Sequence, residues 1–348
     1  MRILSPFSIA LILGLTLTSI PLLNAETINI KIPDVPEVPK VEAVVPTVNV
    51  TSSASSKTNA QIIEEATRKK EVIFSDHVAP EMVEIQDAPE KVIEVGDIDN
   101  GRVPAYLHAA FMSVKDVVKT LESAGFTILA KHKVDKKANA TSIIFTNAVL
   151  QKAASKNLRG FAAALRITVD KKNKLLNISN PIYMQRAFMQ DEYDSLLAEK
   201  TLATLRNAFK GLKNSDEVIK FRVLERFQFM EGMPRYADMQ VIKKAPNVAL
   251  LESAKKSKKI VYEQKLENGA VVIGVKLGKR TSKFIKKTGY QNSGLLPYPV
   301  LIENGEAKIL DPKYYIAVMY PMLKMSQFMK IATVPGAISK DVDKIFRK

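Results

Sequence analysis

The chain of 348 residues contains no cysteine, no tryptophan and only three histidines, His77, His108 and His132. The lack of cysteine excludes disulfide bonds, thiol nucleophiles, covalently attached c-type haem and thiolate metal sites. The histidines are too far apart in sequence to pair at a metal-ligand spacing. The chain also lacks the G-x-S-x-G and H-E-x-x-H motifs, and no carboxylate pair stands out as a general acid and base. We therefore predict no cofactor and no catalytic residue, and an enzyme without a recognisable motif stays an alternative.

Only one long apolar stretch is present, and it lies at the N-terminus. Ile3 to Leu23 are almost all apolar, follow the basic Arg2 and precede the small residue Ala25. This pattern predicts a signal peptide over residues 1–25, with a retained membrane anchor as the alternative. No later stretch approaches the ~18 apolar residues of a membrane helix. We expect a periplasmic or secreted protein with no membrane span once the signal is removed.

Residues 26–70 are rich in proline, valine and serine. Ile32 to Pro39 repeat proline at short intervals, which favours extended polyproline II, and Thr51 to Ser56 form a small polar tract. This composition predicts a flexible arm that acts as a spacer.

Short sequence matches recur at a separation of about 130 residues. Four pairs of segments match in the same order along the chain: 92–95 with 223–226, 103–106 with 233–236, 121–123 with 251–253, and 180–183 with 311–314. The matches predict a tandem duplication, with a first repeat over residues 71–219 and a second over 220–348. We expect the two copies to pack together as a pseudo-dimer.

Each copy has the same predicted series of elements. A first strand, near 91–98 or 221–230, precedes a helix, two strands, a second helix, a β-hairpin and a last helix. Asn304-Gly305 supplies the turn residues of the second hairpin. The predicted fold class is α+β, with two similar domains that each have a mostly antiparallel sheet and helices packed on one face.

The second hairpin carries a resemblance to a known family. The stretch Ser293 to Gly305, followed by Asp311-Pro312, is similar to the end of the domain-of-unknown-function family 302, and Gly125 to Leu129 resemble a strand start of that family. The resemblance implies a compact two-layer α/β fold in each copy and no established activity. Copy one has Ala162 to Leu165 in place of the Leu-Pro step. Tyr298 stands where many members have cysteine, so any cysteine-dependent chemistry of the family cannot occur here.

Charge is distributed unevenly along this basic chain, whose formal net charge is +16. Residues 26–102 carry 15 acidic and 8 basic side chains, so the rest of the mature chain is strongly basic. The densest basic run supplies the candidate anion-binding residues Lys276, Lys279, Arg280, Lys283, Lys286 and Lys287. Anionic lipid, lipopolysaccharide or a small anionic ligand would suit this run, and a plain solvated surface is the alternative. Nucleic acid is disfavoured because no aromatic residue for base stacking is interleaved with these charges.

Methionine is concentrated toward the C-terminus. Met319, Met322, Met325 and Met329 follow one another at helical spacing. Thioethers are ligands for Cu(I), so these four are soft-metal candidates, although a helix core explains the same spacing.

Taken together, these patterns favour an exported, non-catalytic binding or accessory module for a small or anionic ligand. An envelope structural or interaction protein, a Cu(I)-handling protein and a motif-less enzyme are the alternatives. If only one copy carries a site, we expect it to be the second.

Overall fold

The computed structural model describes residues 92–135, 137 and 139–347. The predicted signal peptide (1–25), the arm (26–70) and the first repeat up to residue 91 lie outside the described residues. The described residues belong to one compact unit and share one continuous hydrophobic core. Among them, no helix is long and apolar enough to span a membrane.

The first sheet is antiparallel throughout, with the strand order β3-β4-β5-β6-β2-β7. Its strands are β2 (Tyr106–Ala110), β3 (Thr127–Lys133), β4 (Ala140–Thr146), β5 (Leu165–Asp170), β6 (Leu175–Ser179) and β7 (Lys213–Asn214).

The second sheet is also antiparallel, with the order β10-β11-β12-β13-β9. Its strands are β9 (Gln240–Lys244), β10 (Ile260–Lys265), β11 (Val271–Val275), β12 (Tyr298–Glu303) and β13 (Glu306–Ile309). Two short strands, β1 (Arg102–Pro104) and β8 (Val218–Lys220), pair separately. If β2 to β6 are matched with β9 to β13 in chain order, these five strands have the same order in both sheets.

Helices connect these strands in a matching sequence. They are α1 (Val114–Ser123), α2 (Ala148–Ala154), α3 (Pro181–Met189), α4 (Ser195–Ala208), α5 (Asn247–Lys256), α6 (Ile285–Thr288), α7 (Pro312–Met319), α8 (Met325–Met329) and α9 (Val334–Asp343). Short 3₁₀ segments include Gly160–Ala162, Phe221–Arg226, Thr281–Phe284 and Tyr290–Leu295. The predicted α+β class, with antiparallel sheets and helices, is confirmed.

The two X-Pro dipeptides noted in the sequence begin α3 and α7. The Asn180 side chain accepts a hydrogen bond from the Ile182 amide (3.0 Å), and the Asp311 side chain accepts one from Lys313 (2.8 Å). Proline follows each cap at the first helical position, where its missing N–H costs nothing and its fixed φ suits a helix.

A reciprocal contact joins α3 and α7. The Tyr183 hydroxyl donates to the Val318 carbonyl (2.7 Å), and the Tyr314 hydroxyl donates to the Ala187 carbonyl (3.3 Å). Tyr183 and Tyr314 lie 131 positions apart in the chain, as do Ala187 and Val318. Each helix therefore gives the other the same contact, as residues do across a two-fold interface.

The predicted first strand of each copy is wrong. Residues 92–98 form turns and extended chain, and most of 221–230 is the 3₁₀ segment Phe221–Arg226. The first segment is held by side chains instead of by a sheet: Arg206 donates to the Val95 carbonyl and pairs with Glu94 and Asp97. The strands that complete the two sheets are β2 and β9, which follow these segments.

Candidate functional site

The two faces of the first sheet differ in chemistry. Alternate residues of a strand point to opposite faces. On β5, Ile167 and Val169 therefore share one face, whereas Arg166 and Thr168 share the other. On the apolar side, Leu202 of α4 and Leu107 of β2 both lie close to Gly96, 3.0 Å and 3.1 Å from where a Cβ atom on it would stand. The opposite face is polar and yet buried, because residues from the second half of the chain cover it.

One line of polar side chains crosses this buried face from strand to strand. Ser142 of β4 is paired with Thr168 of β5, Thr168 with Asn177 of β6, and Asn177 with His108 of β2. His132 of β3 continues the line beyond Ser142. We call these five residues the polar row. Three of them are almost fully buried, with exposures of 0% for Ser142, 1% for Thr168 and 3% for Asn177.

Most of the polar row has unused hydrogen-bonding capacity. Ser142 Oγ, Thr168 Oγ1, Asn177 Oδ1 and His108 Nε2 are buried and have no hydrogen-bond partner among the described residues. A buried polar atom without a partner costs about 1–3 kcal/mol, and folded proteins carry few of them. Four such atoms in adjacent positions of one sheet make this face a candidate site for a small polar ligand.

Arg166 lies next to the polar row, two residues before Thr168 on β5. It is 4% exposed and forms no ion pair among the described residues, and its Nε has no hydrogen-bond partner there. Its electrostatic neighbours are the phenols of Tyr315, Tyr262 and Tyr106, and it shares a hydrogen bond with the Tyr262 hydroxyl.

These tyrosines do not neutralise the guanidinium. Burial raises the pKa of Tyr315 to about 12, against a smaller opposing effect of Arg166, and burial also raises the pKa values of Tyr262 and Tyr106. Burial works to lower the pKa of Arg166, but its tyrosine neighbours, which include a hydrogen bond with Tyr262, raise it, so the guanidinium stays charged. Arg166 is thus a charged group inside the protein without a counter-charge, which is costly unless an anion completes the site.

A short segment of the second half, Tyr290–Leu295, lies over the polar row, and we call it the cover segment. The Gln291 carbonyl accepts a hydrogen bond from Asn177 Nδ2 (2.8 Å). Gly294 lies directly over β5: a Cβ atom there would be 3.3 Å from Thr168 Oγ1 and 3.9 Å from Arg166 Cβ. A glycine at this position lets the backbone approach the sheet closely.

The matching contact on the second sheet is apolar. There the segment Gly160–Ala162 of the first half packs on β11 and β12. A Cβ atom on Gly160 would be 2.6 Å from Leu301 and 3.0 Å from Val272. The contact on the second sheet is therefore mainly aliphatic, with one unpartnered polar atom nearby (Gln264 Oε1), whereas four such atoms lie side by side on the first sheet. A buried face of this kind can be packed with apolar side chains, so the polar side chains of the first sheet are not needed for packing. The polar row is therefore a candidate functional site.

The six basic candidates of the sequence lie between β11 and the cover segment. Lys276, Lys279, Arg280, Lys283, Lys286 and Lys287 are all exposed. The middle of this run is helical, as the 3₁₀ segment Thr281–Phe284 followed by α6. At one end of the run, the charge of Lys276 acts on His132 of the polar row. The basic run therefore borders the buried site without entering it.

Near the other end of this run, Asp135 ties the cover segment to the first half. It accepts hydrogen bonds from the Asn139 backbone (2.9 Å), the Asn139 side chain (2.6 Å) and the Tyr290 hydroxyl (3.1 Å). Burial alone would raise the pKa of Asp135, but these bonds and the charge of Lys286 lower it.

The four methionine candidates do not lie on one helix. Met319 ends α7 and is 1% exposed, whereas Met322, Met325 and Met329 are between 41% and 63% exposed. Met325 and Met329 are the first and last residues of α8. Cu(I) binding by these residues stays a prediction. Among the described residues, no group of three or more His, Asp or Glu side chains is placed to hold a metal ion.

We expect His132 to make the folded state sensitive to acid. Burial and, to a smaller extent, Lys276 lower its pKa from 6.5 to about 4. The unfolded chain therefore takes up a proton at higher pH than the folded chain, so stability present above pH 6.5 is lost as the pH falls toward 4. From pH 7 to 5 the loss should be about 2 kcal/mol. Urea unfolding at pH 7 and pH 5 measures this loss. His132→Gln should remove it. If the variant loses as much stability between the two pH values as the parent, His132 is not the cause.

The fold and the site define a protein of two antiparallel sheets with a buried, cation-containing polar layer on one of them. No family model, no curated protein and no solved structure matches the chain.

Proposed function

We propose that the chain is a non-catalytic binding module that holds a small oxyanion between the polar row and the cover segment, with Arg166 as the anchor. The observation that carries this proposal is the buried guanidinium of Arg166, which lacks a carboxylate partner among the described residues. An oxyanion would supply the missing counter-charge through charge-assisted hydrogen bonds. The hydroxyls of Ser142 and Thr168 lie on the same face and would donate to it.

The exposed basic run has a separate part in this proposal. Six positive side chains beside the site would raise the local concentration of anions and speed their arrival, without holding them. A solvent-exposed basic surface as the sole binding site would give strongly salt-dependent binding, whereas a buried Arg166 site is screened less.

We also propose that the chain arose by duplication and that it is exported. The equal strand order of the two sheets and the reciprocal tyrosine bonds support a duplicated chain folded as a pseudo-dimer. After the duplication, only the first sheet would have acquired the polar layer. The N-terminal sequence supports export to the periplasm or beyond, where a small-anion binder would meet external solutes. Membership of the domain-of-unknown-function family 302 stays a prediction.

Replacing Arg166 tests this function. We expect Arg166→Met to weaken binding of acetate and phosphate by at least about 30-fold, because hydrogen bonds to charged groups are worth about 1.5–3 kcal/mol or more when buried. The variant should be as stable as the parent or more so, because a buried charge without a partner is replaced by an apolar side chain of similar length. Isothermal titration and urea unfolding measure the two effects.

Arg159→Met is the matched control. The Nε of Arg159 lacks a hydrogen-bond partner among the described residues, as that of Arg166 does, but the charge of Arg159 is paired with Asp191 (2.7 Å) and the side chain lies over the Tyr236 ring. This variant should lose stability and keep anion binding. Unchanged binding in Arg166→Met, or no binding of either anion by the parent protein, would rule out the proposed function.

A further inference from the structure

The orientation of two buried carboxamides is fixed by their neighbours. Asn177 Nδ2 donates to the Gln291 carbonyl (2.8 Å), and Asn292 Nδ2 donates to the Thr288 carbonyl (2.6 Å). A backbone carbonyl only accepts, so in each side chain the nitrogen must face it and the oxygen must point elsewhere. Both of these oxygens are buried without a partner among the described residues. Asn177 therefore adds an acceptor to the polar row, and Asn292 adds one in the cover segment, next in the chain to Gln291.

Donors and acceptors occupy different parts of the site. Arg166, which can only donate, is two residues along β5 from Thr168, about 7 Å away at the rise of a strand. Asn177 lies on the neighbouring strand, directly opposite Thr168. A ligand that meets both ends must carry an acid group at one end and a hydrogen-bond donor at the other.

The donor of the ligand should be a hydroxyl and not an ammonium group. The polar row contains no acidic residue. The carboxylate on the same face of β5, Asp170, already accepts hydrogen bonds from the backbone (2.9 Å) and the side chain (2.7 Å) of Asn173. Neutral amide oxygens and hydroxyls match a neutral donor, whereas a buried ammonium group would need a negative partner.

We propose that the ligand class of this site is a small hydroxylated acid, whose acid group binds Arg166 and whose hydroxyl groups donate to the carboxamide oxygens of Asn177 and Asn292. This assignment rests on the proposed function and narrows it from any small oxyanion to one that also carries hydroxyl donors. The acid group can be a carboxylate or a phosphate ester, since both accept bidentate hydrogen bonds from a guanidinium.

Three compounds test the acid-binding and hydroxyl-binding ends of the site separately. Acetate, glycerate and glycerol are each titrated into the purified protein by calorimetry. Glycerate should bind at least about tenfold more tightly than acetate, because unpaired acceptors gain their partners, and glycerol should not bind measurably. Glycerol phosphate compared with methyl phosphate distinguishes the phosphate form from the carboxylate form of the acid.

Substitutions then assign the preference to its residues. Asn177→Leu should bring glycerate down to the affinity of acetate and leave acetate within about twofold. Gln264→Leu is the matched control, because Gln264 is equally buried and also has an unpartnered oxygen, but its nitrogen faces Thr146, four residues along β4 from Ser142, and Ala163. It should leave the ratio of the two affinities unchanged. If Asn177→Leu does not fold, Asn177→Ser, which keeps a small polar group, replaces it in the same comparison of glycerate with acetate.

The outcomes distinguish the two levels of the proposal. If acetate and glycerate bind equally and both depend on Arg166, the hydroxyl preference is overturned and the oxyanion function stands. If neither compound binds, the proposed function fails as well. If glycerate is preferred but Asn177→Leu, Asn177→Ser and Asn292→Leu all keep the preference, the carboxamides are not its source and the assignment is overturned.

Discussion

Gly274→Ala should lower the free energy of unfolding by about 3 kcal/mol or more, the upper end of the usual cost of overpacking. Gly274 lies on β11, and a Cβ atom there would be 2.0 Å from Cε1 and 2.3 Å from Cδ1 of Tyr262. These are rigid ring atoms of a side chain that is 5% exposed, so the ring cannot swing into solvent. The ring would have to leave Arg166, which ties the stability of the second sheet to the anchor of the site.

A second substitution separates this clash from a general intolerance of change at Gly274. In a Tyr262→Ala background the ring is gone, and Gly274→Ala should then cost little, which gives a coupling energy in the double-mutant cycle of about 2 kcal/mol or more. Urea unfolding of the four proteins measures it. Additive effects in that cycle would show that Tyr262 does not lie over Gly274.

Gly336→Ala is a control that should raise the free energy of unfolding, whereas Gly274→Ala lowers it. Gly336 lies in α9, and a Cβ atom there would meet nothing within 4 Å. Alanine should therefore stabilise the helix by about 0.5–1 kcal/mol, its usual advantage over glycine.

The sequence predicts most of the elements but not the strands that complete the sheets. Ala140–Thr146 is rich in β-branched residues and bounded by polar loops, so its local pattern suffices. Tyr106–Ala110 contains alanines and a histidine and reads poorly as a strand, yet it pairs with β6 over five residues. Its strand conformation is imposed by tertiary contacts, which no local pattern reports. Val92 and Ile93 look like part of a strand but remain 80% and 56% exposed.

The candidate site could not be found from the sequence because it depends on register and on burial. Ser142, Thr168 and Asn177 become neighbours only when β4, β5 and β6 pair in one register. Arg166 alternates with buried aliphatic residues along its strand, and this pattern normally indicates a solvent-facing side chain. Only the cover segment from the second half turns that exposed face into an interior. In the proposed site the second half of the chain supplies the cover and the first half supplies the polar row, and the expectation that a site belongs to the second copy stays a prediction.

The cover segment also determines how a ligand can enter, since the residues of the site on β4, β5 and β6 are buried beneath it. A disulfide between cysteines introduced by Thr168→Cys and Gly294→Cys should hold the cover segment against β5. A Cβ atom on residue 294 would lie 3.3 Å from Thr168 Oγ1, where a cysteine sulfur would stand, and in a disulfide each Cβ atom lies about 3 Å from the sulfur of its partner. The natural chain contains no cysteine, so the engineered pair has no competing partner within the chain.

Oxidation of this double variant should have two large effects. Closing a loop of more than 100 residues should stabilise the fold by about 2–4 kcal/mol. The oxidised protein should also take up anions at least about 100-fold more slowly than the same protein after reduction, because the cover can no longer leave the sheet. Urea unfolding and stopped-flow binding, each with and without reductant, measure the two effects on one protein with identical residues. Thr168→Cys alone shows what loss of the hydroxyl costs. Equal uptake rates in the oxidised and reduced forms would contradict entry by movement of the cover segment, and a ligand would then have to reach Arg166 along the edge bordered by Lys276.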